Sequence, residues 1–124
     1  MHALRHVHSL IVADGVMLDL HPVTEEHLED ADGRPIGVIP ETEWLTVDLP
    51  NAEACVRDAV RDGLLALEAE TEFDMLQHFD EHHELIEAKA DLLEGQHALV
   101  QAVHAAKPPL VSREHYVLRR LCKR

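Results

Sequence analysis

The sequence predicts an α/β fold: a small mixed sheet in two or three layers, with flanking helices and an inserted β-hairpin. Three observations predict it: a helix, turn and strand between Leu4 and Leu20, an amphipathic helix from Asn51 to Glu70, and an alternating apolar segment from Ser112 to Lys123. The 124 residues can bury one ordinary core, so residues 1–124 are expected to form a single domain.

The first elements are a short amphipathic helix, a turn and a buried strand. Mostly apolar residues recur at helical spacing, namely Leu4, Val7, His8 and Ile11. Gly15 can adopt the left-handed conformation that ends a helix. The apolar run from Val16 to Leu20 is too short for a helix and is predicted to be a strand.

A β-hairpin is predicted next, inside an insertion that covers residues 21–49. Pro22 ends the first strand, and His27 to Asp30 is expected to pair with Pro35 to Ile39. Asp32-Gly33 lies between these two segments, and this dipeptide is typical of a tight hairpin turn.

The remaining elements alternate between helix and strand. The helix from Asn51 to Glu70 is followed by a predicted strand to Asp80, and two helices, Glu81 to Leu93 and Gln96 to Ala106, are separated at Gly95. Pro108-Pro109 ends the second of them. The last segment, Ser112 to Lys123, has apolar residues on both faces, which is typical of an interior strand.

The order of these motifs resembles the second half of a class I S-adenosylmethionine-dependent methyltransferase. Leu4 to Leu20 resembles the helix and fifth strand, Phe79-Asp80 with Glu84-Leu85-Ile86 the sixth strand and following helix, and Glu114 to Arg120 the seventh strand. The resemblance implies a partial Rossmann-like domain, with the hairpin inserted at the carboxyl end of the fifth strand, where open α/β sheets bind ligands.

The chain lacks the first half of that fold, where the family builds its cofactor site. It has five glycines and no Gly-x-Gly-x-Gly sequence. A tight backbone approach to a cofactor needs such glycines. No cofactor is therefore expected for the isolated chain, and S-adenosylmethionine is expected only where a partner chain completes the site. Whether the chain is an enzyme is left open.

Charge and missing strands together limit the partners. Asp and Glu number 24 against 11 Lys and Arg, a formal charge of -13 that disfavours nucleic acid and anionic membranes. Two cysteines without a paired framework and the absence of a long apolar run predict a cytoplasmic protein. An unpaired apolar strand edge predicts a homodimer, or a heteromer with a chain that carries the missing half.

Two groups of residues are candidates for chemistry. Asp19 and His21 share a strand face where the resemblance places substrate, and a neutral histidine could act as a base there. The preferred alternative is that they only solvate the end of a strand. His78, His82 and His83, near Asp80 and Glu84, offer ligands that zinc or nickel accepts, although exposed histidines without metal are preferred.

The motifs and the composition leave three alternative functions. The first is a non-catalytic or truncated methyltransferase-like domain that acts through self-association or a partner protein. The second is an S-adenosylmethionine-dependent methyltransferase completed by another chain. The third is a histidine-dependent metal-binding protein. The sequence favours the first, because the glycine-rich half is missing.

Overall fold

The computed structural model describes residues 2–40 and 43–124. The chain divides into two compact units. Unit 1 comprises Met1–Val23, Thr42–Phe73 and Tyr116–Arg124, and unit 2 comprises Thr24–Glu41 and Asp74–His115. The two long strands contribute to both units, so each unit is assembled from segments that are distant in the sequence.

Unit 1 packs two helices against three strands. Its elements are α1 (His2–Leu10), β1 (Val16–Pro22), a π-helical segment (Trp44–Asp48) that continues directly into α2 (Leu49–Arg61), and parts of β4 (Leu65–Phe79) and β5 (Leu110–Lys123). Ala59, Leu65 and Leu121 are fully buried at its centre. Leu4 of α1 and Met17 of β1 pack against them.

Unit 2 is built from a hairpin and three short helices. Its elements are β2 (Glu26–Glu29), β3 (Pro35–Ile39), α3 (His82–Ala88), α4 (Ala90–Leu93) and α5 (His97–Ala105), together with the remaining parts of β4 and β5. Its core is apolar and contains Leu28, Ile39, Phe79, Leu85, Leu93, Val103 and Leu110.

The five strands form one antiparallel sheet. The strand order is β1-β5-β2-β3, and β4 also pairs with β5. β1 runs antiparallel to β5, with Leu20 opposite Leu118. The amide of Arg124 donates to the Leu64 carbonyl oxygen, and the ring of Tyr116 stacks on that of Phe73. These two contacts show that β5 also runs antiparallel to β4. The α/β class is confirmed. The prediction of a mixed sheet is wrong, because β1 with β5, β2 with β3 and β2 with β5 all pair in antiparallel orientation.

Several predicted elements are confirmed at nearly their predicted positions. The hairpin forms between β2 and β3, with Gly33 at a φ of 77°. β5 is an interior strand, and Gly95, also at a φ of 77°, separates α4 from α5. The helix predicted from Glu81 to Leu93 is instead two helices, α3 and α4, which are interrupted at Lys89. Among the described residues, no helix is both long enough and apolar enough to cross a membrane.

Three predictions of local structure were wrong. The helix predicted to reach Glu70 ends at Arg61, because Gly63 takes a φ of 77° and the strand period begins at Leu65. The left-handed residue after α1 is Asp14, with a φ of 65°, and not Gly15. Gly15 instead provides space: a Cβ there would lie 2.7 Å from the Val12 carbonyl oxygen.

The strand from Val16 to Leu20 is also not buried on both faces. Its side chains alternate between exposed and half-buried, so only one face of β1 is covered. The prediction of a single domain over residues 1–124, with an insertion at 21–49, stays a prediction, although the hairpin segment Thr24–Glu41 belongs to unit 2.

Candidate functional site

An uncovered apolar sheet surface in unit 1 is the first candidate site. Val16, Leu18 and Leu20 occupy alternate positions of β1 and are 43%, 66% and 50% exposed. The register places Cys122, Arg120 and Leu118 of β5 opposite them. We call the surface formed by Val16, Leu18, Leu20, Phe73, Tyr116 and Leu118 the open face.

Aromatic side chains extend the open face from β5 to β4. The rings of Phe73 and Tyr116 stack with their centroids 6.0 Å apart and an interplanar angle of 18°. Phe73 is nevertheless 36% exposed. Within this surface, Arg120 lies opposite Leu18, and its Nε donates to a Glu68 carboxylate oxygen at 2.7 Å. Exposed aliphatic and aromatic side chains with an arginine among them are typical of a protein interaction surface.

The other face of β1 carries a cluster of charged side chains that lies against α2. The His21 ring nitrogens lie 2.9 Å from Asp19 Oδ1 and 2.8 Å from Glu53 Oε1. Arg119 donates to both Glu53 oxygens at 2.8 and 2.7 Å, to Asp19 at 3.2 Å and to Glu70 at 2.7 Å. We call these five residues the ion cluster.

The ion cluster is partly withdrawn from water, which strengthens its interactions. The His21 and Arg119 side chains are 12% and 13% exposed. The Arg119 hydrogen bonds hold the pKa of the Glu53 carboxyl below its usual value, against a smaller opposing effect of burial, and the bond to His21 lowers that pKa further. The Glu53 carboxylate raises the pKa of Arg119 above its usual value.

This geometry limits the chemistry open to Asp19 and His21. The structure does bring the two predicted residues together, but both ring nitrogens of His21 face carboxylate oxygens, which only accept hydrogen bonds when ionised. A substrate would have to displace Asp19 or Glu53 to reach either nitrogen, so the arrangement favours a structural role over general base catalysis.

A pH dependence of stability follows from the pKa of Glu53. A folded-state pKa below the unfolded value contributes stability above the unfolded pKa, and that contribution is lost as the pH falls through the folded-state pKa. We expect the free energy of unfolding to fall more steeply on acidification from pH 6 to pH 3 in the natural chain than in Glu53→Gln. Urea unfolding at each pH measures both slopes.

Glu94→Gln is the matched control for this experiment, because Glu94 is an exposed carboxylate of unit 2. Its variant should keep the slope of the natural chain. A Glu53→Gln slope equal to that of the natural chain would show that the Glu53 carboxylate does not contribute to acid sensitivity.

Unit 2 has a second charged cluster. Asp74 accepts hydrogen bonds from Arg113 at 2.9 Å and lies 2.8 Å from His115 Nδ1. Arg113 also donates to Glu29 at 3.0 Å. The hydrogen bonds from His115 and Arg113 lower the pKa of Asp74. These groups are more exposed than those of the ion cluster, so they contribute less to stability.

The structure does not arrange the predicted metal ligands around a common point. His82 Nε2 lies 2.7 Å from the Ala106 carbonyl oxygen, and its ring is 6.0 Å from that of His104. His78 lies on β4 and His83 on α3, and both are exposed. Over residues 2–40 and 43–124 there is no group of three His, Cys, Asp or Glu side chains placed to hold a metal ion.

The sequence identified the pair of Asp19 and His21. It also identified the strand from Val16 to Leu20, but predicted that strand to be buried, whereas Val16, Leu18 and Leu20 are exposed. Glu53 and Arg119 were missed, because Glu53 lies 32 residues from His21 and Arg119 lies 100 residues from Asp19. The only available signal was a pair of adjacent arginines, Arg119 and Arg120, within a predicted interior strand.

Comparison of the chain with protein-family models, with curated proteins and with solved structures finds no match. The open face and the ion cluster are therefore the features from which a function is inferred.

Proposed function

We propose that this chain is a non-catalytic, methyltransferase-like domain that works through association with a second copy of itself. The proposal is based on the open face, where the side chains of Val16, Leu18 and Leu20 are exposed to solvent. Covering a Leu or Val side chain in part contributes a fraction of the roughly 1.5–3 kcal/mol that full burial contributes. Several such residues on one surface therefore provide a driving force for association.

The ion cluster supports the non-catalytic part of the proposal. The methyltransferase resemblance places Asp19 and His21 near a substrate, but Arg119 donates to Asp19, and the His21 ring lies between Asp19 and Glu53. Breaking those bonds to bind a substrate would leave Arg119 or Glu53 with an uncompensated, partly buried charge. The cluster is better suited to fixing α2 on β1 and β5.

A second candidate is a methyltransferase completed by another chain. The order β1-β5-β4, with both outer strands antiparallel to β5, is compatible with the fifth, seventh and sixth strands of the family. Within the described residues the outer edge of β1 has no strand partner, and the missing half would pair there. This candidate predicts a partner of different sequence and binding of S-adenosylmethionine in its presence.

Light scattering combined with calorimetric titration tests the proposal. The purified chain at micromolar concentration should have twice the mass of one chain, and titration with S-adenosylmethionine or S-adenosylhomocysteine should release no binding heat. A monomeric mass would contradict self-association. Micromolar binding of either compound, about 8 kcal/mol, would contradict the non-catalytic assignment.

A further inference from the structure

We propose that two copies of the chain join β1 to β1 in antiparallel orientation, about a two-fold axis that passes beside Leu18. This inference rests on the proposed self-association and specifies which edge and which register carry it. It predicts one sheet that continues through both copies, with the two open faces side by side.

The hydrogen bonds of β1 show which of its backbone groups are available. The Lys123 amide donates to the Gly15 carbonyl oxygen at 3.3 Å, so these two residues form a hydrogen-bonded antiparallel pair. Such pairs recur at every second residue, which directs the backbone groups of Met17, Asp19 and His21 toward β5. The N–H and C=O groups of Val16, Leu18 and Leu20 then point to the outer edge.

The other two outer edges of the sheet are protected against pairing. β3 has five residues and is bounded by Pro35 and Pro40, which donate no backbone hydrogen bond. β4 is long but acidic, because four of its residues are carboxylates, namely Glu68, Glu70, Glu72 and Asp74. Two copies of β4 would bring like charges together, whereas the outward residues of β1 are all apolar.

A two-fold axis at Leu18 makes the β1 edge complementary to itself. Leu18 faces Leu18 of the second copy, and Val16 faces Leu20, so apolar side chains meet apolar side chains on the open face. On the other face, Asp19 lies opposite Met17, so no pair of like charges is opposed. Six backbone hydrogen-bonding groups per copy, from Val16, Leu18 and Leu20, gain partners.

Cysteine cross-linking tests this register. In a chain carrying Cys55→Ala and Cys122→Ala, Leu18→Cys should cross-link to itself under mild oxidation, because opposed residues have Cα atoms about 5.5 Å apart. Val16→Cys alone and Leu20→Cys alone should cross-link at least about tenfold less, since their own copies lie four residues out of register. An equimolar mixture of these two variants should cross-link about half as much as Leu18→Cys, because only half of the dimers that form at random combine the two variants.

Val38→Cys is the control, because Val38 is an exposed apolar residue on the edge strand β3. Equal cross-linking at Val38 and Leu18, or at Val16 alone and Leu18, would overturn the proposed register. A dimeric mass without cross-linking at Leu18 would overturn the β1 pairing but leave self-association standing. A monomeric mass would overturn both.

Discussion

Leu18→Asp is expected to convert the dimer to a monomer, raising its dissociation constant by on the order of a thousandfold. Leu18 is the most exposed apolar residue of β1 and lies at the proposed two-fold axis, so one substitution changes both sides of the interface. Two opposed carboxylates replace two apolar side chains, so the apolar contacts are lost and like charges meet, with a repulsion that the neighbouring Arg120 of each copy only partly offsets. Sedimentation equilibrium over a range of concentrations measures the constant.

Leu92→Asp is the matched control, because Leu92 is a 43% exposed leucine on α4 of unit 2. It should leave the dissociation constant unchanged, and both variants should keep the circular dichroism of the natural chain. If Leu18→Asp and Leu92→Asp associate as tightly as the natural chain, the β1 edge is not the interface.

Arg119→Met is expected to lower the free energy of unfolding by about 2–4 kcal/mol. The substitution keeps much of the apolar stem but removes the cation that neutralises Glu53, Asp19 and Glu70. His21 then faces two carboxylates without the guanidinium. This loss of stability is smaller than that expected on removing one partner of a fully buried ion pair, because the Glu53 and Glu70 side chains are 31% and 43% exposed. Urea unfolding at pH 7 and fixed protein concentration measures it.

Arg120→Met provides an internal comparison, because the two arginines are neighbours on the same strand. Arg120 is 56% exposed and forms an ion pair with Glu68, so its loss should cost at most about 1 kcal/mol. Equal losses for the two variants would show that the ion cluster contributes no more than an ordinary surface pair.

The sequence predicted the local elements better than their ends. Asp32-Gly33 determines the hairpin turn through backbone conformation, and Gly95 separates two helices for the same reason. The helix predicted from Asn51 to Glu70 was too long, because Leu64 and Leu67 fit the helical period as well as Leu65 and Leu67 fit the strand period. Only the conformation of Gly63 decides between them.

The candidate sites depend on how the strands pair, and a single sequence does not show which residues of two strands lie opposite each other. Leu18 is recognisable as part of an apolar strand, but its exposure follows from the absence of any described element over that face of β1. In the sequence alone, Asp19 and His21 indicate only the polar end of a strand. Their partners Glu53 and Arg119 join them only through the packing of α2 and the pairing of β1 with β5.

Amide hydrogen exchange along β1 tests the central claim most directly. In the natural chain at high concentration, the amides of Val16, Leu18 and Leu20 should be protected, and dilution or Leu18→Asp should remove that protection. The amides of Met17, Asp19 and His21, which face β5, should stay protected in both states. Rapid exchange at Val16 and Leu20 in a chain of dimeric mass would contradict association through the β1 edge.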